Sequence, residues 1–332
     1  MLTTLLLRVL RKKFPDDQID FATKREYAEL VKFNQNLNFT YEFDTAGGVA
    51  GLRDLKQRIR AEKYDLIIDL HNSLRSRYLR LQSGAPRTLV IDKRTIARTI
   101  LVRMKKNLYA DRVPVALRYL EPLKPYGVED DGMGLDLHIP DEVLFNVSSK
   151  VGRLQLSRFE KVVGLCPGAK HATKRWPAER YADLGVRLAR EFGAKVFLFG
   201  GETDRSDAAQ IAQTIGAAVG KDHVTDWTGM LSLLETGAAM QFCDCVVTND
   251  SGLMHLAAAM KRPVVAVFGS TVEEFGFFPF GTRSVVLQRK DVACRPCSHV
   301  GLPRCPEGHF RCMLETGAEE VCRSVVTLLG TT

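Results

Sequence analysis

The sequence predicts an α/β protein built from two Rossmann-like, doubly wound domains, and three observations carry that prediction. Strand-like and helix-like apolar patterns alternate along the chain, the pattern restarts near Pro140, and in the second half each strong strand runs directly into a glycine-rich or polar motif. At 332 residues, 45% hydrophobic and 26% charged, the chain has the length and composition for two ordinary cores. The expected domains are residues 1–145 and 146–332, facing one another across a ligand cleft. No internal repeat of about 20 to 50 residues and no low-complexity run breaks the plan.

The first domain opens on a helix. Leu2, Leu5, Leu6, Val9 and Leu10 follow amphipathic spacing, and Arg11, Lys12 and Lys13 suit the negative end of that helix. A short strand is expected at residues 19–22, helical spacing resumes from Lys24, and residues 64–70 are apolar enough for a buried parallel strand. A domain of this class normally starts with a strand feeding a tight loop and then a helix, so its first strand is expected to be missing. In the second domain, strands are expected at residues 161–165, 195–199, 245–248, 263–268 and 284–288. Helices are expected at 177–192, where Pro177 suits a first turn, and at 204–215, 231–242, 252–260 and 318–329.

A net charge of +8 and a pI near 9.1 point to an anionic partner. Between His71 and Pro125 thirteen Lys or Arg stand against Asp92, Asp111 and Glu121, a local charge of +10. A groove for a phosphorylated or carboxylated acceptor, a membrane-surface patch and a solvated basic face all fit this stretch. No run reaches the roughly 18 apolar residues of a membrane span. Residues 1–14 carry Arg8 among their apolar positions and make a poor secretory signal, so a cytoplasmic protein is expected.

In that setting the eight cysteines read as reduced thiols or ligands. Cys294 and Cys297 have the spacing of half a structural zinc site. Cys305 and Cys312 are set wider than the usual second half, which suits plain thiols equally, and His299 and His309 could substitute as ligands. Cys166, Cys243, Cys245 and Cys322 read as buried small hydrophobes. The basic stretch lacks the aromatic interleaving of an RNA-binding sheet, and Gly47-Gly48-Val49-Ala50-Gly51 lacks the spacing of a dinucleotide fingerprint; neither nucleic acid nor nicotinamide is the expected ligand.

Four strand ends hold the candidate chemistry: Cys166-Pro167-Gly168-Ala169-Lys170 with Lys174 just beyond, Gly200-Gly201-Glu202-Thr203-Asp204, Asn249-Asp250-Ser251-Gly252 ahead of a helix containing His255, and Gly269-Ser270-Thr271. Ser251 and Gly252 at a helix start offer backbone N–H groups and a positive dipole end to a phosphate, and Lys174 adds a full charge. Asp250 would repel a diphosphate, so it is expected to accept from sugar hydroxyls or to cap the helix. Glu202 is placed as a ribose reader. Taken singly, each of these also reads as a turn or cap residue.

Residues 163–177, Thr228-Gly229-Met230, and above all Val247-Thr248-Asn249-Asp250-Ser251-Gly252-Leu253-Met254-His255 resemble glycosyltransferase family 9, the ADP-heptose heptosyltransferases. Residues 263–271 continue the likeness, and Cys294-Arg295-Pro296-Cys297 with residues 305–313 is similar to the tail of the heptosyltransferase II branch. The resemblance implies a GT-B fold and inverting transfer of heptose from ADP-heptose to the lipopolysaccharide inner core, with no metal required. It further implies a Kdo-containing lipid acceptor and peripheral contact with the inner membrane.

Carried onto this chain, the family's roles give Lys174 the departing diphosphate and place Gly168, Ala169 and Lys170 in the donor loop. Glu202 meets the nucleoside, Met230 lines the adenine, and Asp250, Ser251, Gly252 and His255 hold the phosphates and heptose. His71, Asn72, Ser73 and Arg75 face the acceptor. Such enzymes open with a strand and a Gly-Asp loop whose aspartate is the general base, and Met1-Leu2-Thr3-Thr4 matches the segment just past that loop. An N-terminally truncated chain of low activity is therefore expected, because general-base help is worth roughly 10²- to 10⁴-fold. The other readings are a transferase using another nucleotide sugar, a donor-binding but impaired protein, and a basic nucleic-acid-binding module.

Overall fold

The computed structural model describes residues 1–330. The chain divides into two compact units, Met1–Thr95 with Val113–His138, and Ile96–Arg112 with Ile139 onward. The division at His138 and Ile139 differs from the expected one after residue 145, and residues 96–112 go with the second unit. Side-chain contacts explain this: Lys105 Nζ donates to the Pro296 carbonyl at 2.7 Å, and Arg112 reaches Glu273 and Glu274 at 3.6 and 3.7 Å.

The first unit begins with α1 (Thr4–Lys13), in which Leu5, Leu6, Leu7, Val9 and Leu10 are all buried. Its Arg8 makes a two-pronged pair with Asp131 at 2.7 and 2.8 Å and also meets Asp136 and the Gly134 carbonyl, so one guanidinium ties the helix to the unit's last segment. Next along the chain come β1 (Asp20–Lys24), α2 (Glu29–Lys32), β2 (Phe39–Phe43), α3 (Gly48–Ala61), β3 (Leu66–Asp69), α4 (Leu74–Gln82), β4 (Arg87–Val90), α5 (Thr95–Met104, which leads into the second unit) and α6 (Val115–Arg118).

β1 pairs with β2 and β3 with β4, both in parallel, forming two separate two-stranded sheets instead of one. Tyr41, Leu55 and Ile59 form a small shared core joined by Phe43, Tyr64, Ile67 and Leu79, so side chains from both strand pairs meet although their backbones do not. Helical structure after Lys24 is confined to a single short turn and α2.

The second unit adds α7 (Asp141–Gly152), β5 (Lys161–Cys166), α8 (Ala178–Phe192), β6 (Ala194–Leu198), α9 (Arg205–Val219), β7 (Val224–Asp226), α10 (Leu233–Met240), β8 (Cys245–Asn249), α11 (Gly252–Ala259), β9 (Val264–Phe268), β10 (Ser284–Gln288), α12 (Arg311–Leu314) and α13 (Ala318–Leu329). All five strands expected here are present, within a residue or so at their ends; the five helices are present too, α9 running four residues past its expected end and α10 two residues shorter at each end.

The strands form one parallel sheet in the order β10-β9-β8-β5-β6-β7. β6, β8 and β9 are buried at every residue, as continuous apolar runs in a sheet covered on both faces should be. α8 and α13 close one face, with Leu184, Leu188, Val321 and Val325 in the core. The chain leaves β5 in one direction through β6 and β7, then returns to β8 on the other side. The gap between β5 and β8 is the topological switch point, beyond whose carboxyl edge ligands bind in such sheets.

Candidate functional site

The segments after β5 and β8 meet at that switch point, and Asn249 joins them. Its amide nitrogen donates to the Pro167 carbonyl at 2.7 Å, while its oxygen accepts the backbone N–H of Trp176 at 3.0 Å. Trp176 is anchored at its other end by its indole N–H, which donates to the Thr316 carbonyl. The turn between Pro167 and Trp176, which carries Gly168, Ala169, Lys170 and Lys174, is therefore pinned at both ends. Arg175 secures its middle, donating to the Ala169 carbonyl at 2.7 Å and pairing with Asp204 at 2.9 Å, and Asp204 accepts the Gly201 N–H. Gly168 has to be glycine: a Cβ there would lie 2.2 Å from the Asp204 carboxylate.

Past β8, Asp250 is buried and its Oδ2 is gripped twice, by Lys174 Nζ at 2.7 Å and by the Thr271 hydroxyl, which donates at 2.6 Å. Of the two roles expected for Asp250, capping is ruled out, because Ser251 holds the N-cap place of α11 and the Asp250 Oδ2 is taken by Lys174 and Thr271. The polarity explains why. A buried carboxylate is tolerated only when paired, and the nearest cation is Lys174.

Ser251 takes the N-cap place of α11 in extended conformation, with no side-chain hydrogen bond to the helix. The first N–H groups of this eight-residue helix therefore have no side-chain acceptor, as an anion site requires. One turn along, His255 is buried, and desolvation pushes its imidazole down to about 4, so at neutral pH it is uncharged. Among the described residues, His255 Nδ1 and the hydroxyl of buried Ser270 lack a hydrogen-bond partner. Two unmatched polar atoms beside an uncapped helix start are what a site shaped for a polar ligand leaves behind.

Glu202 and Met230 stand further out. Glu202 is exposed and paired with Arg205 at 2.8 Å, and Arg205 in turn donates to the Gly229 carbonyl next to Met230, which is 64% exposed. In the first unit, His71, Asn72, Ser73 and Arg75 form the turn from β3 into α4. The Asp69 carboxylate accepts the N–H groups of His71 and Asn72 at 3.0 and 2.7 Å, Asn72 takes the left-handed conformation (φ 43°), and Ser73 caps α4. Much of the basic stretch is already committed: Arg80 faces Asp69, Arg94 pairs with Glu121, and Arg118 is buried.

All eight cysteines are free thiols. Cys166, Cys243, Cys245 and Cys322 are buried as expected, with Cys245 pushed up to about 12 by desolvation. Cys294 Sγ lies 3.8 Å from His309 Nε2, and Cys297 donates to the Cys294 carbonyl. Among the described residues no group of three or more His, Cys, Asp or Glu side chains is arranged to hold a metal ion. Cys312 is buried on α12, and Cys294, Cys297 and Cys305 are half-buried in the loop before it, close enough to interact: after burial itself, Cys294 and Cys312 both push the Cys297 thiol up, and Cys294 and Cys305 act in the same sense on Cys312.

Thr271 and Arg175 are site residues that sequence reasoning did not assign. Thr271 stood in a recognised motif, and its hydroxyl next to a strand end was the available signal. Nothing local marked Arg175 as an organiser instead of a phosphate ligand.

A family model described as glycosyltransferase family 9 (heptosyltransferase) matches residues 52–303. Similar curated proteins include lipooligosaccharide heptosyltransferase 2 of Haemophilus influenzae, 27% identical over 83% of this chain and 81% of that one. Lipopolysaccharide heptosyltransferase 2 of Escherichia coli is likewise 27% identical, over 83% and 80%. Among solved structures, a glycosyl transferase family 9 protein from Veillonella parvula superposes with a TM-score of 0.80 at 26% identity, covering 100% of this chain and 94% of that one. The ADP-heptose lps heptosyltransferase II of E. coli shares the fold, with a TM-score of 0.73 at 23% identity over 99% and 94%.

Proposed function

This chain belongs to glycosyltransferase family 9, and from that premise we propose that it transfers heptose from ADP-heptose to the inner core of lipopolysaccharide with inversion at the anomeric carbon. The observation that carries the reading is the grip of Lys174 and Thr271 on Asp250 beside the uncapped start of α11. In the reaction an acceptor hydroxyl attacks the anomeric carbon and gives up its proton to water, the bond from that carbon to the phosphate oxygen breaks, and ADP departs carrying the negative charge. On this reading the N–H groups of Gly252 and the residues after it, with the Lys174 ammonium, receive that charge; the uncapped start of α11 supports it. Neutral His255 can give or accept a hydrogen bond there without adding a charge of its own.

The acceptor belongs to the first unit. His71, Asn72, Ser73 and Arg75 offer backbone, hydroxyl and guanidinium donors to a Kdo-containing lipid, whose carboxylates and phosphates suit arginine. An acceptor of that kind is presented at a membrane surface. No described helix is long and apolar enough to cross one, and peripheral contact at the cytoplasmic face, where such an acceptor is made, is part of this proposal.

The test is donor-dependent transfer onto Kdo-bearing lipid A with and without a first heptose, comparing the natural chain with Lys174→Met. Transfer to the heptose-bearing acceptor is expected, and the variant is expected to lose about 10²- to 10³-fold in kcat. Transfer of another sugar in preference to heptose, or equal kcat in the variant, would refute the reading.

A further inference from the structure

Arg295 occupies the middle of the Cys294–Cys297 loop and is 8% exposed. Burying a guanidinium is costly unless its donors are satisfied, and here the acceptors are oxygens gathered from two strand ends. Nε donates to the Gly269 carbonyl, one terminal nitrogen donates to the Arg289 carbonyl, and the other donates to Thr271 at 2.7 Å, Phe268 at 3.4 Å and the Gln288 side-chain oxygen at 3.2 Å. The planar fork of one arginine thereby fixes the turn leaving β9 against the end of β10.

Neighbouring residues extend the hold. The Cys297 N–H donates to the Ser270 carbonyl at 3.1 Å, and the Ser270 N–H donates to Thr173 at 3.3 Å. Leu302 exchanges hydrogen bonds with Thr173, whose own N–H and hydroxyl donate to its carbonyl. Gly269 lets the two turns touch, since a Cβ there would sit 2.7 Å from the Thr173 carbonyl oxygen. Residues 295–302 thus strap together the turn that presents Lys174 and the turn that presents Thr271, the two groups bound to one oxygen of Asp250.

We propose that Arg295 is a positioning residue of the nucleotide-sugar site: by fixing the Phe268–Thr271 turn it aims the Thr271 hydroxyl at Asp250, and Asp250 so held sets where Lys174 meets the departing diphosphate. The inference rests on the donor site read above. It assigns the cysteine-flanked loop a task, and lysine cannot perform it, because one ammonium carries three donors where the fork spans five acceptors.

The experiment compares the wild-type chain, Arg295→Lys, Thr271→Val, Thr271→Ser and the double variant Arg295→Lys/Thr271→Val, each well below its melting temperature. For Arg295→Lys, kcat should fall about a hundred-fold while KM for ADP-heptose stays within about three-fold. ADP affinity should fall about ten-fold, since ADP carries the charge that the leaving group develops. Adding Thr271→Val to Arg295→Lys should cost less than about two-fold more, because both act on one link.

A purely structural role would lower the melting temperature and leave kcat and ADP affinity per folded molecule unchanged. That result, or fully multiplicative effects in the double variant, overturns the proposal. Should Arg295→Lys fail to fold, the Thr271 pair decides: valine must lower kcat and serine restore it, and a fully active valine variant overturns the idea. Absence of heptose transfer by the wild-type chain would defeat the function reading instead, and the ADP affinities would still report on Arg295.

Discussion

The two units are wound by the same rule, strand to helix to parallel strand, yet they end in sheets of different quality. In the second, six strands run edge to edge, and β6, β8 and β9 are buried at every residue. In the first, four strands stay in two pairs, and they contain only two buried residues between them, Tyr41 and Asp69. A continuous buried sheet makes each strand end a fixed platform, and the donor-site residues stand on such ends. Half-wet strand pairs with a small shared core open at lower free energy. The comparison teaches that one connectivity gives either a rigid support or a loose one, depending on whether the ladder is unbroken.

The comparison can be broken most directly by tracking the units separately during unfolding. Both tryptophans of the chain, Trp176 and Trp227, lie in the second unit, so their fluorescence reports that unit alone while far-ultraviolet circular dichroism reports both. In urea the circular dichroism should show an early transition absent from the fluorescence, and coincident curves would refute the contrast in stability. Substitutions then sharpen it. Gly269→Ala pushes a methyl group toward a backbone carbonyl and should cost the fluorescence transition about 3 kcal/mol. Arg8→Met breaks the largely buried tie from α1 to Asp131 and should cost about 2 kcal/mol in the early transition only. A shift of both transitions by either substitution would mean that the units unfold as one.

Acid gives a smaller, graded effect. Burial holds the His255 imidazole at about 4, with Lys174 pushing the same way and Asp250 opposing. The unfolded value is higher, about 6.5, so between the two the unfolded chain binds the extra proton. The stability contributed by His255 is therefore complete above about pH 6.5 and is lost as pH falls toward 4. The fluorescence transition should weaken by about 3 kcal/mol across that window, and His255→Gln should flatten the dependence. An unchanged slope in the variant would assign the acid sensitivity to other groups.

Legibility in the sequence obeys the same divide. β5, β6, β8, β9 and β10 announce themselves as apolar runs bounded by polar motifs, and the structure places them within a residue or so of expectation. β2 (Phe-Thr-Tyr-Glu-Phe) and β4 (Arg-Thr-Leu-Val) have no such run, because a half-exposed strand needs none, and they were not foreseen. β7 has three residues, too few for any period to register.

At the site, the strand-end motifs located Lys174, Asp250 and the start of α11, since their positions are dictated by topology. The partner of Asp250 was not legible. Which cation neutralises a buried carboxylate depends on how two turns far apart in sequence pack, and a glycine at 269 and an arginine at 295 set that packing without resembling a motif.

The Lys174–Asp250 contact also bears on events after the chemistry. On the donor-site reading, every diphosphate that enters must share its cation with a resident carboxylate 2.7 Å away, and that carboxylate is still there when the sugar has gone. Asp250 is thus a standing competitor that takes the ammonium back as ADP loosens.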